Sequence, residues 1–154
     1  TRAIFAGGYT AYSPYPTTDL IDFITISTLG NAQDFGNLTK SGNVTNSCAS
    51  STRGLFHGLN GSHINNTNTI DFVTFASTGN AIDFGDLINA TSATAGAASS
   101  PTRGVITGTD KSPSPHGDVI EYVEIATTGN AVDFGVLSEH RSHGNGVSNG
   151  HGGL

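Results

Sequence analysis

Apolar residues in this chain come in short runs rich in β-branched and aromatic side chains, and the same run recurs three times. "IDFITIST" at Ile21, "IDFVTFAS" at Ile70 and "IEYVEIAT" at Ile120 each read as a strand bounded by turn residues. Ahead of them stand "TRAIFAGG" at Thr1, "TRGLFHGL" at Thr52 and "TRGVITGT" at Thr102, a second strand-like segment repeated about every 50 residues. After them comes one phrase, as "STLGNAQDFGNL" (27–38), "ASTGNAIDFGDL" (76–87) and "ATTGNAVDFGVL" (126–137). The units run over about 1–46, 47–96 and 97–145, with a partial unit at 146–154. Small-residue stretches "SCASS" and "GAASS" precede the second and third units but not the first. The last segment, "GVSNGHGGL", aligns with the entry into a further unit.

Gly30-Asn31, Gly79-Asn80 and Gly129-Asn130 sit between two strand-like runs, and glycine at the first central position is the type II′ hairpin signal. A turn there sets Phe75 opposite Phe84 and Phe72 opposite Leu87. The other units then pair Ile26 with Phe35, Phe23 with Leu38, Ile125 with Phe134 and Tyr122 with Leu137. The two pairs of each hairpin point to opposite faces, so each hairpin needs cover on both sides, as stacked sheets provide. Gly36, Gly85 and Gly135, which follow the phenylalanine, serve backbone geometry or close packing. The expected fold is all-β: three four-stranded units, arranged as propeller-like blades, with a pseudo-threefold trefoil or prism and a fibre-type oligomer as alternatives.

Composition narrows the partners. The 154 residues suffice for one domain, with 12% charged residues, 21 glycines and a net charge of −6 without any basic cluster, so nucleic acid is not an expected partner. The single Cys48 allows no internal disulfide, and no apolar run approaches the roughly 18 residues of a membrane span.

Candidate chemistry is sparse. Asp34, Asp83 and Asp133 stand in "DFG", the triplet that holds magnesium in kinases, but the phosphate loop, strand lysine and catalytic loop that must accompany it are absent. Their expected role is structural: each carboxylate pairs with a repeated arginine, Arg2, Arg53 or Arg103. Asp118, Glu121 and Glu124 form the densest acidic group, and alternation divides them between two faces as surface charges rather than a glycosidase pair. His140, His143 and His151 have spacings that could bind a transition metal, set against a reading as a solvated glycine-rich tail. No cofactor is expected. The segments between repeated strands vary, and one of them, "YTAYSPY", carries Tyr9, Tyr12 and Tyr15 as candidate stacking surfaces for sugar rings.

The cycle of "TRG", "IDF", "TGNAxDFGDL" and a closing "SNGHGGL" resembles the repeats of virion structural and tail-fibre proteins of marine T4-like cyanophages, over essentially the whole chain. The order of a strand ending in Gly-Gly, an aromatic-bearing hairpin and a return through arginine also looks like a distant kelch repeat, which implies a β-propeller. The resemblance implies a non-enzymatic part of the virion that contacts other virion proteins and host surface glycans. A homo-oligomer is expected, in which the "GVSNGHGGL" end completes the first unit of a neighbour. The rival expectation is a free-standing carbohydrate-binding module.

Overall fold

The structure is a computed structural model that describes residues 1–12, 14–44, 46–59, 67–91, 94, 96–109, 117–141 and 143–150. The described residues form strands and turns without a helix, in three antiparallel sheets. The first sheet has three strands, β1 (Arg2–Ala6), β2 (Leu20–Thr25) and β3 (Gln33–Asn37). The second has four: β4 (Asn46–Ala49), β5 (Arg53–His57), β6 (Thr67–Thr74) and β7 (Ile82–Thr91). The third repeats that order with β8 (Gly96–Ser99), β9 (Arg103–Thr109), β10 (Gly117–Glu124) and β11 (Val132–Arg141).

Each pair of strands expected to form a hairpin does pair, but in a different register. Phe72 faces Ile82 rather than Leu87, and Phe75 lies beyond the end of β6 rather than opposite Phe84. The first and third sheets follow suit, with Phe23 opposite Gln33 and Tyr122 opposite Val132. The chain reverses immediately after β6, so Gly79-Asn80 is not the hairpin turn, and neither is Gly30-Asn31 or Gly129-Asn130.

The Gly-Asn segment is used between sheets instead. Gly79 N–H donates to Phe35 O (2.7 Å), Ala81 N–H donates to Asn37 O (2.8 Å), and the Asn80 side chain accepts from Asn37 N–H (3.1 Å). The same three bonds join the third sheet to the second: Gly129 N–H to Phe84 O (2.8 Å), Ala131 N–H to Asp86 O (2.8 Å), and Asp86 N–H to Asn130 Oδ1 (3.1 Å).

The receiving edge is shaped by "DFG". In every sheet the pairing skips the phenylalanine: Asp71 faces Asp83 and Ile70 faces Gly85, which leaves Phe84 as a bulge, and Phe35 and Phe134 are skipped in the same way. Gly36, Gly85 and Gly135 share φ near +148° (148, 147 and 148). A Cβ on Gly36 would stand 2.4 Å from Gly79 O, and one on Gly85 would stand 2.4 Å from Gly129 O. Glycine is therefore required twice over, by backbone angle and by approach.

Two apolar clusters result, one in each gap. Ile21, Phe23, Phe35 and Leu38 of the first sheet meet Phe56, Val73 and Ala81 of the second. Leu55, Phe72, Phe84 and Leu87 on the opposite face of the second sheet meet Ile106, Val123 and Ile125 of the third. Cys48 closes against Gly104, and burial pushes its thiol up to about 12, so it packs as an inert apolar group.

Two consequences can be measured. Gly85→Ala lowers stability by about 1–3 kcal/mol in denaturant unfolding, because strain and overpacking coincide at that position. His57 is fully buried and burial holds its pKa down to about 3, whereas in the unfolded chain it titrates near 6.5. The native state therefore refuses a proton that the unfolded state accepts. Stability falls as pH drops from 6.5 towards 3, with a slope of up to about 1.4 kcal/mol per pH unit. His57→Leu flattens that part of the stability curve.

Candidate functional site

The first unit carries the best described surface feature, a loop that prolongs β1 and β2. Gly7 N–H donates to Leu20 O (3.0 Å), Thr18 N–H to Gly8 O (3.1 Å) and Thr10 N–H to Pro16 O (2.9 Å), and Tyr9 bridges Thr17. The segment after β3 supports the base of this loop, since Gly8 N–H donates to Gly42 O (2.9 Å) and the Thr17 and Ser41 hydroxyls share a bond of 2.8 Å. Tyr15 adopts φ 62°, a left-handed conformation that costs a bulky side chain on the order of 1–3 kcal/mol.

Tyr9, Tyr12 and Tyr15, with Thr10 and Ala11, line an open concavity of about 640 Å³. Tyr9 and Tyr15 meet edge to face with ring centroids 6.0 Å apart, while Tyr12 is 91% exposed. The three tyrosines singled out in the sequence thus come together. A planar apolar face rimmed by phenol and threonine hydroxyls suits a sugar ring, which offers C–H groups on its face and hydroxyls at its edge. The corresponding segments of the other two units lie largely outside the described residues.

The expected arginine–aspartate pairs do not form. Each arginine lies over the aromatic ring of the adjacent strand: Arg2 over Phe23 at 4.8 Å, Arg53 over Phe72 at 4.7 Å and Arg103 over Tyr122 at 4.6 Å. Each of those rings also meets the bulge phenylalanine in a T-shaped pair, with centroids 5.9 Å apart for Phe23–Phe35, 5.8 Å for Phe72–Phe84 and 6.0 Å for Tyr122–Phe134. The guanidinium then reaches the next sheet, from Arg2 to Phe75 O (2.8 Å) and from Arg53 to Ile125 O (3.0 Å) and Ala126 O (2.9 Å). Arg103 instead binds Glu124 through Nε at 2.6 Å. Asp83 and Asp133 instead bind the bulge of their own strand, where Asp83 accepts from Gly85 N–H (3.1 Å) and Asp133 from Gly135 N–H (3.0 Å).

The acidic group of the third unit also corrects the sequence reading. Glu121 is fully buried, not a surface charge, and accepts from Ile88 N–H of the second sheet at 2.7 Å. Asp71, one unit earlier, is likewise buried and accepts from Thr39 N–H (2.8 Å) and the Thr39 hydroxyl (2.7 Å) of the first sheet. A sequence signal for this role existed: Asp22, Asp71 and Glu121 occupy one place in the repeat. Asp118 lies 3.8 Å from His140 Nδ1, and His143 N–H donates to Thr94 O (3.1 Å). His151 lies outside the described residues, among which no group of three His, Cys, Asp or Glu is placed to hold a metal ion.

Burial pushes the Asp71 carboxyl above its ordinary value, against the opposing pull of Thr39, with smaller effects from Asp83, which raises it, and Lys40, which lowers it. The native state then holds a proton that the unfolded state releases, so this group's contribution to stability declines as pH rises from about 4 through the raised pKa. Asp71→Asn, which keeps a carbonyl for Thr39 N–H, is expected to match or exceed wild-type stability at pH 7. Wild type regains ground on acidification. Asp71→Ala orphans that donor and loses about 1–3 kcal/mol, and urea titrations of the three proteins at pH 7 and at lower pH check all of these outcomes.

No helix long and apolar enough to cross a membrane occurs among the described residues. Set against known proteins, the chain matches no protein-family model and no curated sequence.

Proposed function

We propose that this chain is a non-enzymatic structural protein of a virion appendage, of the tail-fibre kind, whose loops meet glycans on the host surface. The observation that carries this reading is how the repeated residues are used. In the two inner gaps Gly79-Asn80, Gly129-Asn130, the edges at Phe35 and Phe84, Arg2, Arg53, Asp71 and Glu121 all bond one sheet to the next, a structural use of the repeated positions. Variation falls in the loops, and the described one presents three tyrosines on a braced scaffold. The resemblance of the repeats to virion and tail-fibre sequences supports the same conclusion.

In this reading the sheets are kelch-like propeller blades. Face-to-face burial in both gaps favours blades, and the trefoil or prism alternative needs the chain's ends paired, whereas among the described residues β1 pairs only with β2. The tyrosine concavity also favours a second reading, a free-standing carbohydrate-binding module.

A glycan array probed with the purified chain tests both. Binding is expected, and Tyr12→Ala is expected to weaken it by about fivefold to tenfold without altering the melting temperature, since the ring is already in solvent. Incorporation of the labelled chain into particles selects the appendage over the free module. An array without signal, or one indifferent to Tyr12→Ala, removes the tyrosine loop as the contact.

A further inference from the structure

The interface between successive sheets occurs twice in the structure, and each half of it stands once more at the outer faces. At the first sheet Ala32, which follows Gly30-Asn31, is exposed. Its counterparts are engaged, with Ala81 only 8% exposed. At the third sheet the bulge is open. Phe134 is 57% exposed where Phe35 and Phe84 are 3% and 2%, and a Cβ on Gly135 would meet nothing within 4 Å. The flanking apolar groups behave alike: Phe5 is 56% exposed against 6% for Phe56, and Ile26 is 64% exposed against 1% for Ile125.

We infer that the third sheet of one chain docks the first sheet of a second copy, head to tail, by repeating the bonds found inside the chain. The donors and acceptors match one for one. Gly30 N–H and Ala32 N–H meet Phe134 O and Val136 O, while Asn31 Oδ1 accepts from Val136 N–H, as Asn80 accepts from Asn37 and Asn130 from Asp86. Asp22 takes Ser138 N–H as Asp71 takes Thr39 and Glu121 takes Ile88. Arg103 exchanges the exposed Glu124 for the Ile26 carbonyl of the next copy, as Arg2 and Arg53 already reach Phe75 and Ile125.

The end of the described chain fits the same docking. Gly146 lies against Ala97 and Gly150 against Ser99 and Ser100, with Ser148 Oγ donating to Ser99 O, so 145–150 runs over β8 much as β8 runs over β4, where Ala49 N–H meets the Ser99 hydroxyl. That places it beside the free edge of β1 in the docked copy, where β4 stands beside β5 in the second sheet. Edge and face are satisfied together. A head-to-tail contact of this kind gives a ring if its rotation closes and a filament if it does not. Two copies supply six sheets, which lies within the usual range of about 4–8 blades for the propeller reading above, although the docking itself does not depend on that reading.

Light scattering coupled to size exclusion, with the full chain, tests the inference. Wild type is expected at a multiple of 15.7 kDa, with mass falling on dilution. Ala32→Glu places a charge on an exposed position of the single chain that docking buries, so this variant runs as a folded monomer. Gly135→Ala blocks the receiving bulge and also runs as a monomer. Mixing the two leaves one working interface and gives a species of twice the monomer mass. A wild type that stays monomeric at millimolar concentration overturns the inference, and so does an Ala32→Glu variant that assembles like wild type. If Gly135→Ala fails to fold, the Ala32→Glu comparison decides alone.

Discussion

Everything in this molecule hangs on a main-chain contact, the insertion of a Gly-Asn segment from one sheet against the bulged edge of the sheet before it. A bulge at phenylalanine turns the backbone groups of β3 and β7 outward, and the following glycine removes the Cβ that would block approach. Because the carbonyl oxygens of Gly79 and Gly129 come so close, the spacing of the sheets is set by backbone hydrogen bonds before any side chain is considered. Side chains then fill a gap of fixed width.

That fixed spacing explains the other repeated residues. The arginine spans from an aromatic ring on its own sheet to a carbonyl on the next, a task for a planar cation with several donors that lysine does poorly. A buried carboxylate takes a backbone N–H a few residues past the bulge of the preceding sheet, and that hydrogen bond offsets part of the cost of its burial. The apolar groups on both faces of the second sheet complete two separate clusters among the described residues. Stability is distributed gap by gap.

Under the function proposed above, such a construction serves as a scaffold. In the two inner gaps the repeated positions are committed to contacts between sheets. What remains free to vary is the set of loops beyond the strand ends, and the tyrosine-bearing loop of the first unit shows how a variable segment is held in place by bonds to glycines at its base.

The sequence by itself determined the all-β class and where the main strands lie, because apolar patterning is a local property of the text. The grouping of Tyr9, Tyr12 and Tyr15 was legible for the same reason, as they share one short loop. Only the tertiary structure decided the register, the arginine partners and the buried state of Glu121. The Gly-Asn dipeptide carries the signal of a tight turn wherever it stands, and nothing local distinguishes a glycine that turns a hairpin from one that lets a neighbouring backbone approach. Likewise an arginine and an aspartate repeated together suggest a pair, whereas stacking on Phe72 and the free carbonyl at Ile125 arise only once the second and third sheets meet.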